Sequence, residues 1–268
     1  MGTAIRSEFL KFFTTRLWWG MAIAIFVCGA AFAGLFAFLY TSDTMTQSAG
    51  PGMPAPSGSP VQIANSVYTA GIGIGYLLLL TIGVLQIGSE YRHKTITGTF
   101  LATPKRVQAM VAKVIALLGI GALYGAISLV GSVAVGATVL SLRGFEAFPG
   151  SEVYRTLALS LVVLGLWALI GLGIGILIPN QVAALLIGVG VAWIVEPLVS
   201  FGLSFWTWGA EHLVPYFPSQ ATTAVVDAVA TQPNDSRLSW WAASLVLIAY
   251  AAVLSGLGIW RVNRQDIT

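Results

Sequence analysis

The stretch GSEYRHKTITGTFLATPKRVQ, residues 88–108, gathers Glu90, Arg92, His93, Lys94, Lys105 and Arg106 between two long runs almost devoid of charge. Its meaning depends on the medium around it. The chain of 268 residues is 57% hydrophobic and 9% charged, whereas soluble domains carry roughly 25% charged residues. It lacks the polar surface to cover a globule in water, so an all-α fold embedded in lipid is expected. The single cysteine, Cys28, excludes an internal disulfide and any multi-cysteine metal site. Within an apolar run it reads as a small packing residue.

Working outward from the charged stretch, six segments supply the about 20 mainly apolar residues that a span requires. They are residues 17–40, 63–88, 114–140, 154–178, 182–200 and 240–260. The first is too long, and begins too late, for a signal-peptide core of about 7–15 residues. Pro179-Asn180-Gln181 reads as a tight turn between the fourth and fifth. The division around 182–208 is open to merging or splitting. Orientation follows from Lys and Arg. With both termini in the cytoplasm, residues 1–16, the loop 89–113 and the C-terminal end hold ten of the thirteen basic residues. Residues 41–62 and 201–239 are then extracellular. Trp18, Trp19, Trp206, Trp208, Trp240, Trp241 and Trp260 fall at predicted span ends, where indole favours the headgroup layer. Trp167 and Trp193 stand mid-span.

Residues 1–16 place Ile5, Phe9, Phe12 and Phe13 at helical spacing, with Arg6, Glu8 and Lys11 elsewhere around the wheel. An amphipathic helix lying along the inner membrane face is predicted. Residues 48–60, SAGPGMPAPSGSP, are low in complexity and cannot build a core. In the outer segment 201–239, Ser219 is placed to cap a short helix through Ala230, ended by Pro233-Asn234-Asp235. Apolar helices of this kind, too short to span, are expected to dip back into the outer leaflet. Gly71 and Gly75, Gly121 and Gly125, and Gly171 and Gly175 form small-xxx-small pairs that permit close helix contact.

Signs of catalysis are absent from the pattern. No phosphate-binding Gly-rich loop ending in Lys-Ser or Lys-Thr occurs, and the two Gly-rich runs at 71–75 and 171–175 lie inside spans. His93 and His212 fall on opposite sides of the membrane. Ser204 in Gly202-Leu203-Ser204 is followed by Phe205, not the glycine of a serine intramembrane protease. A non-enzymatic chain without metal or cofactor of its own, and without a nucleic-acid partner, is the expectation. Glu196, in WIVEPLV, is the one acidic residue well within a span. It faces a translocation cavity or a dimer interface, or else the span ends there and it is wet; Pro197 is expected to free a carbonyl and break the helix.

In the opening stretch, Glu90-Tyr91-Arg92 begins where the second span leaves lipid. Residues 95–103 are short and mildly amphipathic, with Ile96, Phe100 and Leu101 on roughly one face, and Pro104 ends them before Lys105 and Arg106. An apolar ridge flanked by charge fits a docking surface for a soluble partner. The alternative is a loop that only fixes topology and binds anionic membrane lipid. The stretch resembles the signature of ABC-2-type permeases, the membrane subunits of ATP-binding-cassette exporters with a type V exporter-like fold. There the second span ends in a Glu-x-Arg-x-x-Thr pattern, matched here by Glu90, Arg92 and Thr95. A short coupling helix follows, then Pro with a nearby Arg, matched by Pro104 and Arg106. Lys105 departs mildly from the serine many members carry.

The resemblance implies a permease that pairs with a second copy, or a related permease, and with a separate cytoplasmic ABC ATPase that holds ATP and Mg. Glu90, Tyr91, Arg92, Thr95, Ile96, Phe100, Leu101, Pro104 and Arg106 would form the docking and coupling surface. The location implied is the bacterial plasma membrane, and the cargo an exported hydrophobic or amphipathic molecule (drug, antibiotic peptide or lipid). The rival reading is a polytopic scaffold or sensor whose inner loop binds another partner.

Overall fold

The computed structural model describes residues 1–42, 59–102, 106–226 and 237–264, and among them there are helices and no strand. In chain order they are α1 (Gly2–Phe13), α2 (Leu17–Thr41), α3 (Pro60–Thr69), α4 (Ile72–Arg92), α5 (Ile96–Ala102), α6 (Arg106–Leu142), α7 (Ser151–Leu177), α8 (Gln181–Gly190), α9 (Glu196–Ser204), α10 (Thr207–His212), α11 (Pro218–Val225) and α12 (Trp240–Arg264). Six helical stretches are long and apolar enough to cross a membrane: α2, α3 with α4, α6, α7, α8 with α9, and α12. The protein is an all-α membrane protein. Residues 48–58 of the predicted low-complexity loop, Pro104, Ala230 and the stop at Pro233 lie outside the described residues, as do the side chains of Phe100 and Leu101; Ser59 and Pro60 open α3.

Helix α7 is the axis of the bundle, with α4, α6 and α12 packed around it. The packing is close because glycines meet backbone. A Cβ on Gly83 would stand 2.0 Å from the Ala168 carbonyl, and one on Gly171 would stand 2.1 Å from that of Leu80. The crossing of α4 and α7 therefore tolerates no side chain on either helix at these points. Gly121 sits on Gly165 in the same way, and Gly71 on Gly29. Trp167 of α7, mid-span in the sequence, is 1% exposed. It stacks on Tyr76 with ring centroids 4.2 Å apart and donates its indole N–H to Thr222 Oγ1 at 2.8 Å. Trp193 lies instead on an outer face.

Helices run further than hydropathy alone suggests, because the end of an apolar run marks where lipid stops, not where the backbone ladder stops. Helix α6 has 37 residues, about 55 Å at 1.5 Å per residue, well beyond a hydrocarbon core of about 30 Å. Between residues 181 and 204 the expected break does not occur. A π turn, Val191–Val195, lies just ahead of Glu196 and Pro197 and carries the helix through. Proline lacks an N–H and its ring crowds the carbonyl four residues earlier; the wider turn relieves both.

Glu196 does not sit at a wet span end. It is 7% exposed, and its Oε1 accepts the backbone N–H of Ser219 at 2.7 Å. That N–H is one of the unpaired donors in the first turn of α11, which begins at Pro218 without a side-chain cap of its own. Ser219 is thus the capped residue and not the cap, and α11 is a short helix buried against α7 and α12. Replacing Glu196 with Ala is expected to cost about 1–3 kcal/mol, the penalty for a buried donor left unpaired. Glu196→Gln keeps an acceptor and should cost less, which thermal unfolding in detergent will resolve.

Candidate functional site

The charged stretch leaves α4 through a tight turn. Lys94 takes a positive φ of 54°, while the N–H of Thr95 bonds the Glu90 carbonyl and that of Lys94 the Tyr91 carbonyl. These two bonds close a helix C-terminus that usually ends in glycine. The chain reverses at once into α5, whose Thr97 and Gly98 are exposed, as are Arg92, His93 and Lys94. Ile96 differs from expectation: it is 3% exposed and packs in the chain's own core, so the ridge assigned to it, Phe100 and Leu101 is not a continuous free face. Tyr91 is half-buried against the same core. Thr95 is exposed.

Glu90 turns inward, where it joins Glu8, Lys11 and Lys113 in a buried cluster. Lys113 Nζ, on α6, donates to Glu8 Oε2 and Glu90 Oε1, each at 2.7 Å. Lys11 Nζ, on α1, donates to Glu8 Oε1 and to the same Glu90 Oε1, again at 2.7 Å, and to Thr99 Oγ1 of α5 at 3.3 Å. Gln86 Nε2 donates to Glu8 Oε2 at 3.3 Å. Lys113 is 0% exposed, Glu8 3% and Glu90 5%. Four elements, α1, α4, α5 and α6, are held by two carboxylates and two ammonium groups. Phe12 completes the seating of α1 through an edge contact with Tyr124 of α6, centroids 5.9 Å apart.

Burial pushes the Glu8 carboxyl up, but Lys113 and Lys11 overcome it and hold the group below its ordinary value of 4.5. Burial likewise disfavours the Lys11 ammonium, and the hydrogen bonds to Glu8 and Glu90 raise it above its ordinary 10.5. Glu8 therefore stabilises the fold fully above its ordinary value, and that contribution is lost as pH falls through the lower folded value. The Lys11 contribution is present below its ordinary value and lost as pH rises through the higher folded one.

Two arginines bind the same end of the bundle together. Arg106 Nη1 donates to the Val262 carbonyl at 3.2 Å, and Arg261 Nη1 to that of Leu177. Both acceptors lie in the last turns of helices, where carbonyls lack partners and cations are favoured. Beside the charge cluster, a cavity of about 470 Å³ opens between α1, α4 and the first residues of α2 and α8. Its polar wall is formed by Glu8, Lys11, Thr15, Gln86, Ser89, Glu90, His93, Thr95 and Gln181. The sequence pattern places Lys113 in the cytoplasmic loop 89–113, Lys11 on the polar side of an amphipathic helix and Gln181 in a tight turn, and gives Gln86 no role. One signal was available: Glu8 and Glu90 are the two carboxylates on the basic side ahead of Asp266, and so the natural partners for a buried lysine. Ser204 and His212 each bond a backbone carbonyl of their own segment, those of Phe201 and Trp208.

Comparison with protein-family models and with curated proteins gives no match for this chain.

Lys113→Met should destabilise the protein by up to about 3–5 kcal/mol, since it leaves two buried carboxylates sharing the one, half-exposed ammonium of Lys11. Removing the partners as well, in Glu8→Gln/Glu90→Gln/Lys113→Met, should recover part of that loss in the same thermal melt. Melting temperature measured from about pH 7 down to about pH 3 should fall as Glu8 protonates. Glu8→Gln should flatten that acid limb.

Proposed function

We propose that this chain is the transmembrane permease subunit of an ATP-binding-cassette exporter, paired with a second permease and with separate cytoplasmic ATPase subunits. The observation that carries the reading is the mounting of α5. A short helix between the second and third spans follows the Glu90-x-Arg92-x-x-Thr95 pattern, and it is fastened at its base to three other elements. Lys11 bonds Thr99 on α5, and through Glu90 and Glu8 reaches α4 and α6. A displacement applied to α5 would then be passed to α1 and two spans as one body.

Such a displacement requires something that binds two states of the chain unequally. ATP bound on the partner would supply that difference, closing the ATPases and drawing α5 with them. The permease pair would respond by opening its cavity outward and releasing a hydrophobic or amphipathic molecule. Glu90 acts in this scheme as an internal tie, and Arg106 as a clamp on the last span. Contact with the partner falls to the exposed side of α5 and the turn before it: Arg92, His93, Lys94, Thr97 and Gly98.

Thr97→Glu and Gly98→Glu test the reading without touching the core, since a side chain at Gly98 meets nothing within 4 Å. Both variants should melt like the wild type, yet lose the soluble ATPase that co-purifies with it from the native host in mild detergent with nucleotide trapped. Recovery of a non-ATPase partner, or of the chain alone, would favour a membrane scaffold or sensor instead.

A further inference from the structure

Three buried acceptors of the cavity beside the charge cluster lack a partner among the described residues. Glu90 Oε2, Gln86 Oε1 and Gln181 Oε1 are all buried, and none has a hydrogen-bond partner among the described residues. All three residues line the cavity. Gln181 is wedged against α4, since a Cβ on Gly88 would stand 2.8 Å from its Cγ. Buried acceptors are seldom left unpaired. The nearest donors point to other acceptors: Lys11 to Glu8, Glu90 and Thr99, Lys113 to Glu8 and Glu90, the Gln86 amide to Glu8, and the Thr15 and Ser89 hydroxyls to the carbonyls of Phe12 and Gln86.

Charge does not decide what fits, because the two carboxylates and two ammonium groups of the cluster cancel. Hydrogen-bond donors do. The rest of the wall joins the apolar Phe12, Leu17, Ile82 and Leu85 to Thr15, Ser89, His93 and Thr95. We infer that this cavity binds an amphiphile with a primary ammonium head, its N–H groups directed at Glu90, Gln86 and Gln181 and its apolar body against Phe12, Leu17, Ile82 and Leu85. A primary ammonium carries three N–H donors and no acceptor, matching three acceptors that lack a partner. A volume of about 470 Å³ lies within the range of small-molecule sites. The same head group occurs on aminophospholipids and on free amphiphilic amines. The inference names a cargo class for the exporter reading but stands on the cavity alone, and binding is measured without an ATPase.

The test is titration of the purified full-length chain, in phosphatidylcholine nanodiscs, with decylamine and with decyltrimethylammonium, read by native mass spectrometry. The two probes share charge and chain, and the second has no N–H. Decylamine should bind saturably, one per chain, and at least about tenfold more tightly than the quaternary probe, as expected for hydrogen bonds from a charged group. Gln181→Leu and Gln86→Leu should each weaken decylamine about tenfold and leave the quaternary probe unchanged, with melting of Gln181→Leu as in the wild type. Equal binding of the two probes, or decylamine binding that neither glutamine variant alters, overturns the assignment. Adding phosphatidylethanolamine to the nanodiscs separates the sources: competition with decylamine assigns an aminolipid head, and its absence a free amine.

Discussion

Lys113 has no exposed surface, and an ammonium group so placed is tenable only with anionic partners close by. Two are supplied, from α1 and α4, both at 2.7 Å. That requirement brings an N-terminal helix outside the spans onto the end of α6 and fixes its rotation, so that Glu8 faces inward. It also sets where α4 ends, because Glu90 must reach the cluster before the chain turns at Lys94. Replacing such a group with apolar residues is often no loss in stability. What the ions impose is geometry, since salt-bridge lengths admit little play between four elements.

The rest of the bundle relies on close approach. Spans α4 and α7 touch backbone to backbone at Gly83 and Gly171, with no room for a side chain at either point. On the opposite side, Glu196 and Trp167 tie α11 into the bundle through two buried polar contacts. The two ends of the molecule are thus built on the same principle, a buried polar contact between elements far apart in sequence, within a body held by dispersion and small residues. The outer faces of α2 and of α8 with α9 carry large exposed apolar side chains such as Phe26, Leu186 and Trp193, as lipid-facing helices do.

Much of this was legible from residues 17 to 260 read for hydropathy. The number of spans, the tight turn at Pro179-Asn180, the short helix after Thr95 and the close contacts at paired glycines all follow from local pattern. What was not legible involved polar groups in apolar surroundings. Glu196 could have faced a cavity, an interface or water; which donor it meets depends on α11, more than twenty residues on. Ile96 looked like part of an outward ridge, because on so short a helix the inward and outward faces carry similar residues. Nothing local shows that Arg106, assigned to a docking motif, donates to the Val262 carbonyl of the last span.

The sequence by itself determined the medium and the class of fold. A chain with so few charges must meet lipid, and in lipid only structures that satisfy their own backbone are available. It also determined which segments span, because about 20 apolar residues suffice to do so. Tertiary structure alone decided the partners of Glu8, Glu90, Lys113 and Glu196, and hence the charge cluster, the seating of α1 and the unpaired acceptors in the cavity. Hydropathy is a sum over neighbours along the chain, whereas a buried charge selects its partner by distance in space, and no local count carries that distance.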